Sequence, residues 1–291
     1  MKIGLIIIMK KIDWGAQFVA QHLSLFACPV CHQPYQHVEN HTVSCANGHS
    51  LDFNRRGSLY FLPHAVTTEY DSAMLAARRK MLTAGLFQPL VKAINDQLPT
   101  GSQTILDVGT GEGTPLAQLD ELRQQTDDTL IGFDLSKDGI NLATQLTTKA
   151  FFCVADLAKL PFTNQQFDAV IELFSPSAYS EFERILKPGG RIVKIVPNRD
   201  YLVELRHALY EPAAPQFQYD NQRVVALFKE HYPLMTVTPI HYQFAIGPDK
   251  IADMMAMTPL SWGSDDLHRQ TLLTRPVTAV TVDVSVLTVR V

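Results

Sequence analysis

The chain has 291 residues, of which 46% are hydrophobic and 19% are charged, and its formal net charge is −4. At roughly 100 to 200 residues per domain, this length predicts one large domain with a smaller one, or two of medium size. The composition excludes disordered and fibrous proteins, and the weak net charge gives no sign of global basicity.

The N-terminal residues contain the longest apolar run, residues 4–9, which Lys10 and Lys11 end at once. This run is too short for a membrane span and for the core of a signal peptide, which predicts a cytoplasmic protein without a membrane partner. Met9 is an alternative start of the chain, and residues 1–8 would then have no structural role. An amphipathic stretch follows over residues 12–26.

A small loop-rich module is predicted over residues 28–63, which are rich in cysteine, histidine, asparagine and glycine. Cys28, Cys31, Cys45 and His49 form the pattern C-x2-C-x13-C-x3-H, whose spacing can place four ligands tetrahedrally around one Zn²⁺. Because four protein ligands saturate the ion, the pattern predicts structural rather than catalytic zinc. Packed reduced cysteines or a thioredoxin-type redox pair are alternatives, but neither explains the second half of the pattern.

Positive charge is concentrated in the first third of the chain. Residues 1–100 carry 9 lysines and arginines against 6 acidic residues, whereas residues 101–291 carry 16 against 23. Since nucleic acids bind through phosphate contacts to basic side chains, a polyanionic partner is expected to meet the N-terminal part. The basic residues best placed for such contacts, each of which could instead be a solvated surface charge, are Arg55, Arg56, Arg78, Arg79 and Lys80.

The periodicity of apolar residues predicts helix over residues 69–98 and then alternating strands and helices. The predicted strands are 104–108, 130–135, 151–154, 169–174 and 191–196, and the predicted helices are 115–124, 136–146 and 178–186. This βαβ rhythm predicts a parallel, doubly wound sheet. Strict alternation over residues 277–291 predicts a long antiparallel strand at the edge of the sheet. The predicted domain boundaries are 24–64 for the zinc-binding module, 65–100 for a helical linker and 101–291 for the main domain.

The first of these strands ends in a glycine loop, D-x-G-x-G-x-G, formed by Asp107, Gly109, Gly111 and Gly113. Asp134 follows at the end of the next strand, where a ribose-binding carboxylate belongs. The third glycine arrives one residue early for the dinucleotide fingerprint G-x-G-x-x-G, which argues against NAD. An acidic residue before the loop favours a ligand with positive groups and no pyrophosphate, and S-adenosylmethionine carries both a sulfonium and an ammonium.

The loop and the segments 152–162, 167–171 and 186–190 resemble the class I S-adenosylmethionine-dependent methyltransferases. The resemblance implies a Rossmann-like α/β fold with a mostly parallel seven-stranded sheet, here preceded by a small zinc-binding domain. It also implies that the carboxylate of Asp156 accepts a hydrogen bond from the adenine amino group. A generic Rossmann-like fold is the alternative. The implied cofactor-binding residues are Asp107, Gly109, Gly111, Glu112, Gly113, Asp134, Leu135, Asp156 and Leu157.

The fourth strand ends at Phe174, Ser175 and Pro176, a polar-proline element of the kind that orients planar nitrogens in methyltransferases. A strand terminator is the alternative for the proline. These three residues and Glu172 are the predicted catalytic residues. Glu172 is one candidate acceptor for a proton that leaves the methylated nitrogen, in competition with a backbone carbonyl of Phe174 or Ser175. A carboxylate that points into the sheet or is capped by a neighbour is the alternative for Glu172.

Together with the cysteine pattern and the segments 76–85 and 257–262, these motifs resemble the bacterial 23S rRNA guanine-N1 methyltransferases of the RlmA family. The resemblance implies a zinc domain that helps to hold a 23S rRNA hairpin, a methyltransferase domain, and a homodimer. A small-molecule or other RNA methyltransferase with a structural zinc ribbon is the alternative. A zinc-ribbon interaction module on a degenerate cofactor fold is a third, and the intact glycine loop argues against it.

Overall fold

The computed structural model describes residues 9–291. The predicted apolar run at residues 4–9 and the alternative start fall mostly on residues 1–8, which lie outside the described residues. The helices are α1 Lys11–Gln21, α2 Ser72–Thr83, α3 Gln88–Gln97, α4 Thr114–Leu122, α5 Lys137–Ala143, α6 Tyr179–Ile185, α7 Val203–Leu209, α8 Gln222–His231, α9 Ile251–Ala256 and α10 Asp266–Thr274.

The strands form two sheets. The strands are β1 Tyr35–Glu39, β2 Thr42–Cys45, β3 Ser50–Asp52, β4 Leu59–Tyr60, β5 Thr104–Val108, β6 Thr129–Asp134, β7 Phe151–Val154, β8 Phe167–Leu173, β9 Leu186–Pro197, β10 Thr236–Ala245 and β11 Ala279–Arg290. Strands β1 to β3 form a small antiparallel sheet in the N-terminal module.

The large sheet has the order β10-β11-β9-β8-β5-β6-β7-β4. The strands from β9 to β4 in this order are mutually parallel, and β11 and β10 are antiparallel additions. This arrangement confirms the predicted doubly wound, mostly parallel fold of class I methyltransferases. The sheet has eight strands rather than seven, because the two-residue strand β4 of the N-terminal part pairs with β7.

The predicted strand over residues 277–291 is antiparallel, but its predicted place at the edge of the sheet was wrong. It lies inside, between β9 and β10, and this explains why Val280, Val282 and Val284 are all fully buried. The edge strand on this side of the sheet is β10, which the sequence did not predict. Strand β10 carries Pro239 and is exposed along much of its length, both of which are typical of an edge strand and weaken its apolar signal.

The predicted helix over residues 69–98 is divided into α2 and α3. Gly85 adopts a φ of +100° between them, a conformation that only glycine adopts without strain. Met81, Leu82 and Leu86 are fully buried against the sheet, so this segment belongs to the core and is more than a connection. The predicted domain boundaries at residues 24–64, 65–100 and 101–291 stay a prediction.

The N-terminal module also packs on the large sheet. Phe26 lies within 6 Å of Phe151 on β7 and of Phe162, measured between ring centroids. All three side chains are buried in a single cluster that draws on both parts of the chain. Across residues 9–291, no helix combines the length and the apolar character that crossing a membrane requires.

Candidate functional site

The cysteine and histidine side chains that the sequence singled out meet in the N-terminal module. The ligand atoms of Cys28, Cys31, Cys45 and His49 all lie within 4.8 Å of one another. The backbone amide of Gln33 helps to lower the pKa of Cys31 to about 6, which favours the thiolate that binds metal. Three sulfur donors and one imidazole fit tetrahedral Zn²⁺ with no position left for a substrate.

A cavity of about 900 Å³ opens where the parallel strands β5, β6, β7 and β8 end. In doubly wound sheets, ligands bind at this carboxyl edge, and the volume is at the upper end of what small-molecule sites occupy. Six of the nine predicted cofactor residues line it, namely Gly109, Gly111, Asp134, Leu135, Asp156 and Leu157. The catalytic candidates Phe174, Ser175 and Pro176 also line it.

The glycine loop and Asp134 are joined by hydrogen bonds. The amide of Gly111 donates to Oδ2 of Asp134 at 2.8 Å, and the amide of Ser136 donates to Oδ1 at 2.7 Å. Burial raises the pKa of Asp134. Gly109 has a φ of +67°, and a Cβ at this position would lie 3.0 Å from Cβ of Ser175. The cofactor loop and the polar-proline element therefore lie close together, and little space remains between them for a side chain at position 109.

Three predicted cofactor residues do not line the cavity. Asp107 is buried behind the loop, where burial and the nearby charge of Asp134 raise its pKa to about 6. Glu112 accepts hydrogen bonds from the amide and the hydroxyl of Thr114. Gly113 adopts a φ of +86° at the start of α4. These residues shape the loop, and their predicted contact with the cofactor stays a prediction.

Arg79 supports the glycine loop from α2. Its Nε donates to Oε2 of Glu112 at 2.9 Å, and its Nη2 donates to the backbone oxygen of the same residue at 2.7 Å. The side chain of Glu112 is fully buried, so Arg79 is its counter-ion. Arg79 is therefore engaged inside the protein, and its predicted phosphate contact with RNA stays a prediction.

The other four basic candidates are arranged differently. Arg78 lines the cavity and lies over the ring of Phe87 at 5.7 Å. Lys80 forms an exposed ion pair with Asp253 on α9. Arg55 and Arg56 are exposed in the N-terminal module, and Arg56 also donates to the backbone oxygen of Asn141. Among the five, Arg55, Arg56 and Lys80 keep the exposure that a phosphate contact requires, and Lys80 is already paired with a carboxylate.

The polar-proline element is held in an unusual conformation. Phe174 has a φ of +62°, which is costly for a residue with a side chain and is concentrated at functional sites. Its ring packs against Phe87 and Tyr201, with centroids 5.4 and 5.1 Å away. The hydroxyl of Ser175 is buried and has no hydrogen-bond partner within residues 9–291, so it is available to a ligand.

Glu172 lies beneath this element and does not line the large cavity. Its Oε1 accepts hydrogen bonds from Oγ of Ser177 at 2.7 Å and from Nζ of Lys194 at 3.1 Å. Lys194 also donates to the backbone oxygen of Ser175 at 2.8 Å, so that carbonyl is already engaged. Burial raises the pKa of Glu172 to about 7. These contacts indicate that Glu172 supports the polar-proline element. Its predicted role as proton acceptor stays a prediction.

Sequence reasoning missed one wall of the cavity, formed by Tyr201, Arg206 and Tyr219. Nothing in the sequence distinguishes them, because Arg206 lies on a short helix where an arginine is expected to be exposed. Residues 257–260 form another part of the lining. Their segment was noticed only through the family resemblance.

Comparison with known proteins agrees with this two-part organisation. Residues 26–66 match the family model described as "RlmA, N-terminal", a zinc ribbon, and residues 100–231 match a model described as "Methyltransferase domain". The chain is 36% identical over 275 residues to YxjB of Bacillus subtilis, covering 91% of this chain and 96% of the relative. The name of that relative assigns it to the 23S rRNA (guanine-N1)-methyltransferases.

A second relative comes from Streptomyces fradiae. It is the 23S rRNA (guanine(748)-N(1))-methyltransferase, 26% identical over 245 residues, with 82% of this chain and 86% of the relative covered. A third, from Micromonospora griseorubida, is 26% identical over 283 residues and bears a 23S rRNA (guanine-N1)-methyltransferase name. The similarity therefore extends over both the zinc cluster and the cavity.

Proposed function

Because the chain belongs to the 23S rRNA (guanine-N1)-methyltransferase family that its motifs resemble, we propose that it transfers a methyl group from S-adenosylmethionine to N1 of a guanine in 23S rRNA. Membership of the family confirms the resemblance. One observation of the site supports the reaction most directly: the glycine loop lies beside the polar-proline element, where a Cβ at Gly109 would come within 3.0 Å of Cβ of Ser175. A cofactor cradled by the loop would present its methyl group beside that element.

The residues that line the cavity have separate roles in this proposal. Asp134, oriented by two backbone amides, accepts from the ribose hydroxyls, and Asp156 accepts from the adenine amino group. The backbone of Gly109 and Gly111 approaches the ligand without a Cβ in the way. When bound, S-adenosylmethionine supplies an electrophilic methyl group for direct displacement.

The strained element at Phe174 fixes the second reactant. Its ring and that of Tyr201 offer flat apolar surfaces for the guanine, and the free hydroxyl of Ser175 offers a polar contact. Alignment of nitrogen, methyl carbon and sulfur, together with exclusion of water, is the main task of such a site. The rigid packing of Phe174 against Phe87 suits that task.

The zinc module has a structural and RNA-positioning role in this proposal. The metal is held by Cys28, Cys31, Cys45 and His49 and stabilises a segment that buries little on its own. We place the target in an rRNA hairpin that the module helps to hold, and we propose a homodimer in the cytoplasm.

The experiment is mass spectrometric mapping of 23S rRNA from a strain that lacks the gene. We expect one guanine to lose its N1-methyl group and to regain it when the wild-type gene is restored. Gly109→Val, which fills the contact with Ser175, should fail to restore it, whereas Gly101→Ala, which faces open space, should succeed. An unchanged rRNA methylation pattern in the deletion strain would contradict the proposal and favour a small-molecule substrate.

A further inference from the structure

Arg206, on α7, is a buried cation in the wall of the cavity. The residue is 6% exposed. Its Nη1 donates to the backbone oxygen of Gln216 at 3.1 Å, and its Nη2 donates to that of Tyr201 at 3.0 Å. A guanidinium has five N–H donors, so three remain, and Nε is buried without a partner within the described residues. Buried donors are normally satisfied, which points to an acceptor that arrives with the ligand.

The charge of Arg206 is also unbalanced. Its titratable neighbours are the phenols of Tyr201, Tyr210 and Tyr219, and the guanidinium lies 5.4 Å from the ring of Tyr219. Burial raises the pKa of each of these tyrosines, so they are neutral at neutral pH while the arginine is charged. No carboxylate forms an ion pair with it in residues 9–291. A buried charge without an anion is costly and is retained where it serves a purpose.

The surroundings hold this cation in one place. Two backbone oxygens fix the guanidinium plane, and the hydroxyl of Tyr210 donates to the backbone oxygens of Leu260 and Trp262. This contact ties α7 to the segment that closes the cavity. A preorganised donor in the wall of a cavity is the arrangement that stabilises charge as it develops in a transition state.

We propose that Arg206 donates a hydrogen bond to O6 of the target guanine and stabilises the negative charge that the base acquires as N1 loses its proton. This inference rests on the proposed function, since it requires a guanine in the cavity. The N1 proton passes to solvent water, and its electron pair is shared between N1 and O6. The N1 pair then forms the bond to the methyl carbon, while the carbon–sulfur bond breaks and its electrons stay on sulfur. The products are neutral N1-methylguanine and a thioether.

The test is single-turnover methyl transfer to a 23S rRNA fragment at saturating cofactor and RNA. Arg206→Met removes the charge, Arg206→Lys keeps the charge without the planar fork, and Arg275→Met is a matched control on the exposed surface. We expect Arg206→Met to lower the rate about 10² to 10³-fold, the usual loss when one preorganised donor is removed. Arg206→Lys should lie between that variant and wild type, and Arg275→Met should equal wild type.

The pH profile separates this role from a purely structural one. Other charged groups that face the cavity are Glu69, Arg78, Asp134 and Asp156. They are common to wild type and variant, so the difference between the two profiles reports on Arg206. We expect the apparent pKa of the rate to rise by at least about one unit in Arg206→Met, because the base must then ionise without a cation beside O6. Calorimetry should give the same cofactor affinity for both proteins.

Three outcomes would overturn the inference while leaving the proposed function intact. One is an Arg206→Met enzyme as fast as wild type, and another is a rate deficit that is equal at every pH. If Arg206→Met fails to fold, the comparison of Arg206→Lys with wild type still tests the inference. The wild-type rate should reach its plateau at a pH well below the pKa of guanine N1 in free RNA. The third contradicting outcome is a wild-type rate that reaches its plateau only at a pH near that pKa. Absence of any transfer to guanine N1 by wild type would instead contradict the proposed function itself.

Discussion

The zinc module and the parallel sheet are stabilised by different means. In the module, four side chains converge within 4.8 Å around a metal site, and the three strands β1 to β3 have only five, four and three residues. In the sheet, β5, β7 and β8 are buried along almost their whole length by apolar residues. Metal coordination can order a short segment that buries too little apolar surface to fold by itself, whereas the sheet is stabilised by burial of its apolar side chains.

The two regions are nevertheless joined. Phe26 of the module packs among Phe151 and Phe162, and β4 extends the sheet beside β7. Either the module folds onto a sheet that is stable without it, or the module and the sheet unfold as a single cooperative unit.

The largest effect is expected from removal of a zinc ligand. Cys45→Ser removes one of the four ligands and should abolish binding of one zinc per chain. Structural zinc sites contribute on the order of 10 to 16 kcal/mol to folding, so loss of the metal should strongly destabilise the module. Residues 28–63 should unfold, while the sheet keeps its capacity to bind S-adenosylmethionine. Elemental analysis, proteolysis and calorimetry measure the three quantities.

Cys153→Ser is the control for that experiment, since Cys153 is fully buried in β7 and lies outside the metal cluster. It should keep the metal. Loss of cofactor binding together with zinc in Cys45→Ser would contradict the prediction and show that the module and the sheet are one cooperative unit.

The second prediction concerns the ion pair that links α2 to the glycine loop. Arg79→Ala leaves the buried carboxylate of Glu112 without its cation and should lower the free energy of unfolding by about 3 to 5 kcal/mol. Cofactor affinity should fall as well, since the glycine loop loses two hydrogen bonds. Denaturant unfolding and calorimetry measure these effects.

Lys80→Ala is the matched control for Arg79→Ala. Lys80 lies next in the sequence, and its ion pair with Asp253 is largely exposed, with 66% of the lysine side chain accessible. Exposed pairs contribute at most about 1 kcal/mol, so this variant should resemble wild type. If the two variants are equally stable, the link between α2 and the loop does not depend on the charge of Arg79.

The two regions also differ in how far the sequence predicts them. The metal cluster follows from spacing alone, because ligands that must converge on one ion leave a local pattern. The glycine loop and the strands from β5 to β9 follow from periodicity and turn residues. The pairing of β4 with β7, the edge position of β10 and the ion pair between Arg79 and Glu112 depend on contacts between distant segments. Local pattern carries no signal for those.

The cavity shows the same division. Gly109, Asp134 and Asp156 lie in motifs and were predictable. Arg206 was not, because its burial results from the packing of α7 against segments that are distant in the sequence, such as α10 and β11. The ion pair of Arg79 with Glu112 was missed for the same reason, since a run of basic residues on a helix gives no indication of which member turns inward.

The smallest effect concerns a buried carboxyl of the sheet. Burial raises the pKa of Asp107 from 3.8 to about 6, and the charge of Asp134 adds to this. Between these two values the folded protein binds more protons than the unfolded chain, so the wild-type free energy of unfolding falls as pH rises. Asp107→Asn has no proton to lose. The free energy of unfolding of Asp107→Asn relative to wild type should therefore increase by about 3 kcal/mol as the pH rises from below 3.8 to above about 6. Roughly half of this increase should fall between pH 5 and 7.5.

Denaturant unfolding of both proteins at several pH values measures this difference, and calorimetry with S-adenosylmethionine provides a second measurement. A positively charged ligand favours the ionised carboxylate, so wild-type affinity should rise with pH through about 6, whereas the affinity of Asp107→Asn should change less. The zinc module is common to both proteins, which removes its own pH dependence from the comparison. Parallel stability curves for the two proteins between pH 5 and 7.5 would contradict this prediction, because they would mean that the carboxyl of Asp107 contributes no difference in proton binding between the folded and unfolded states in that range.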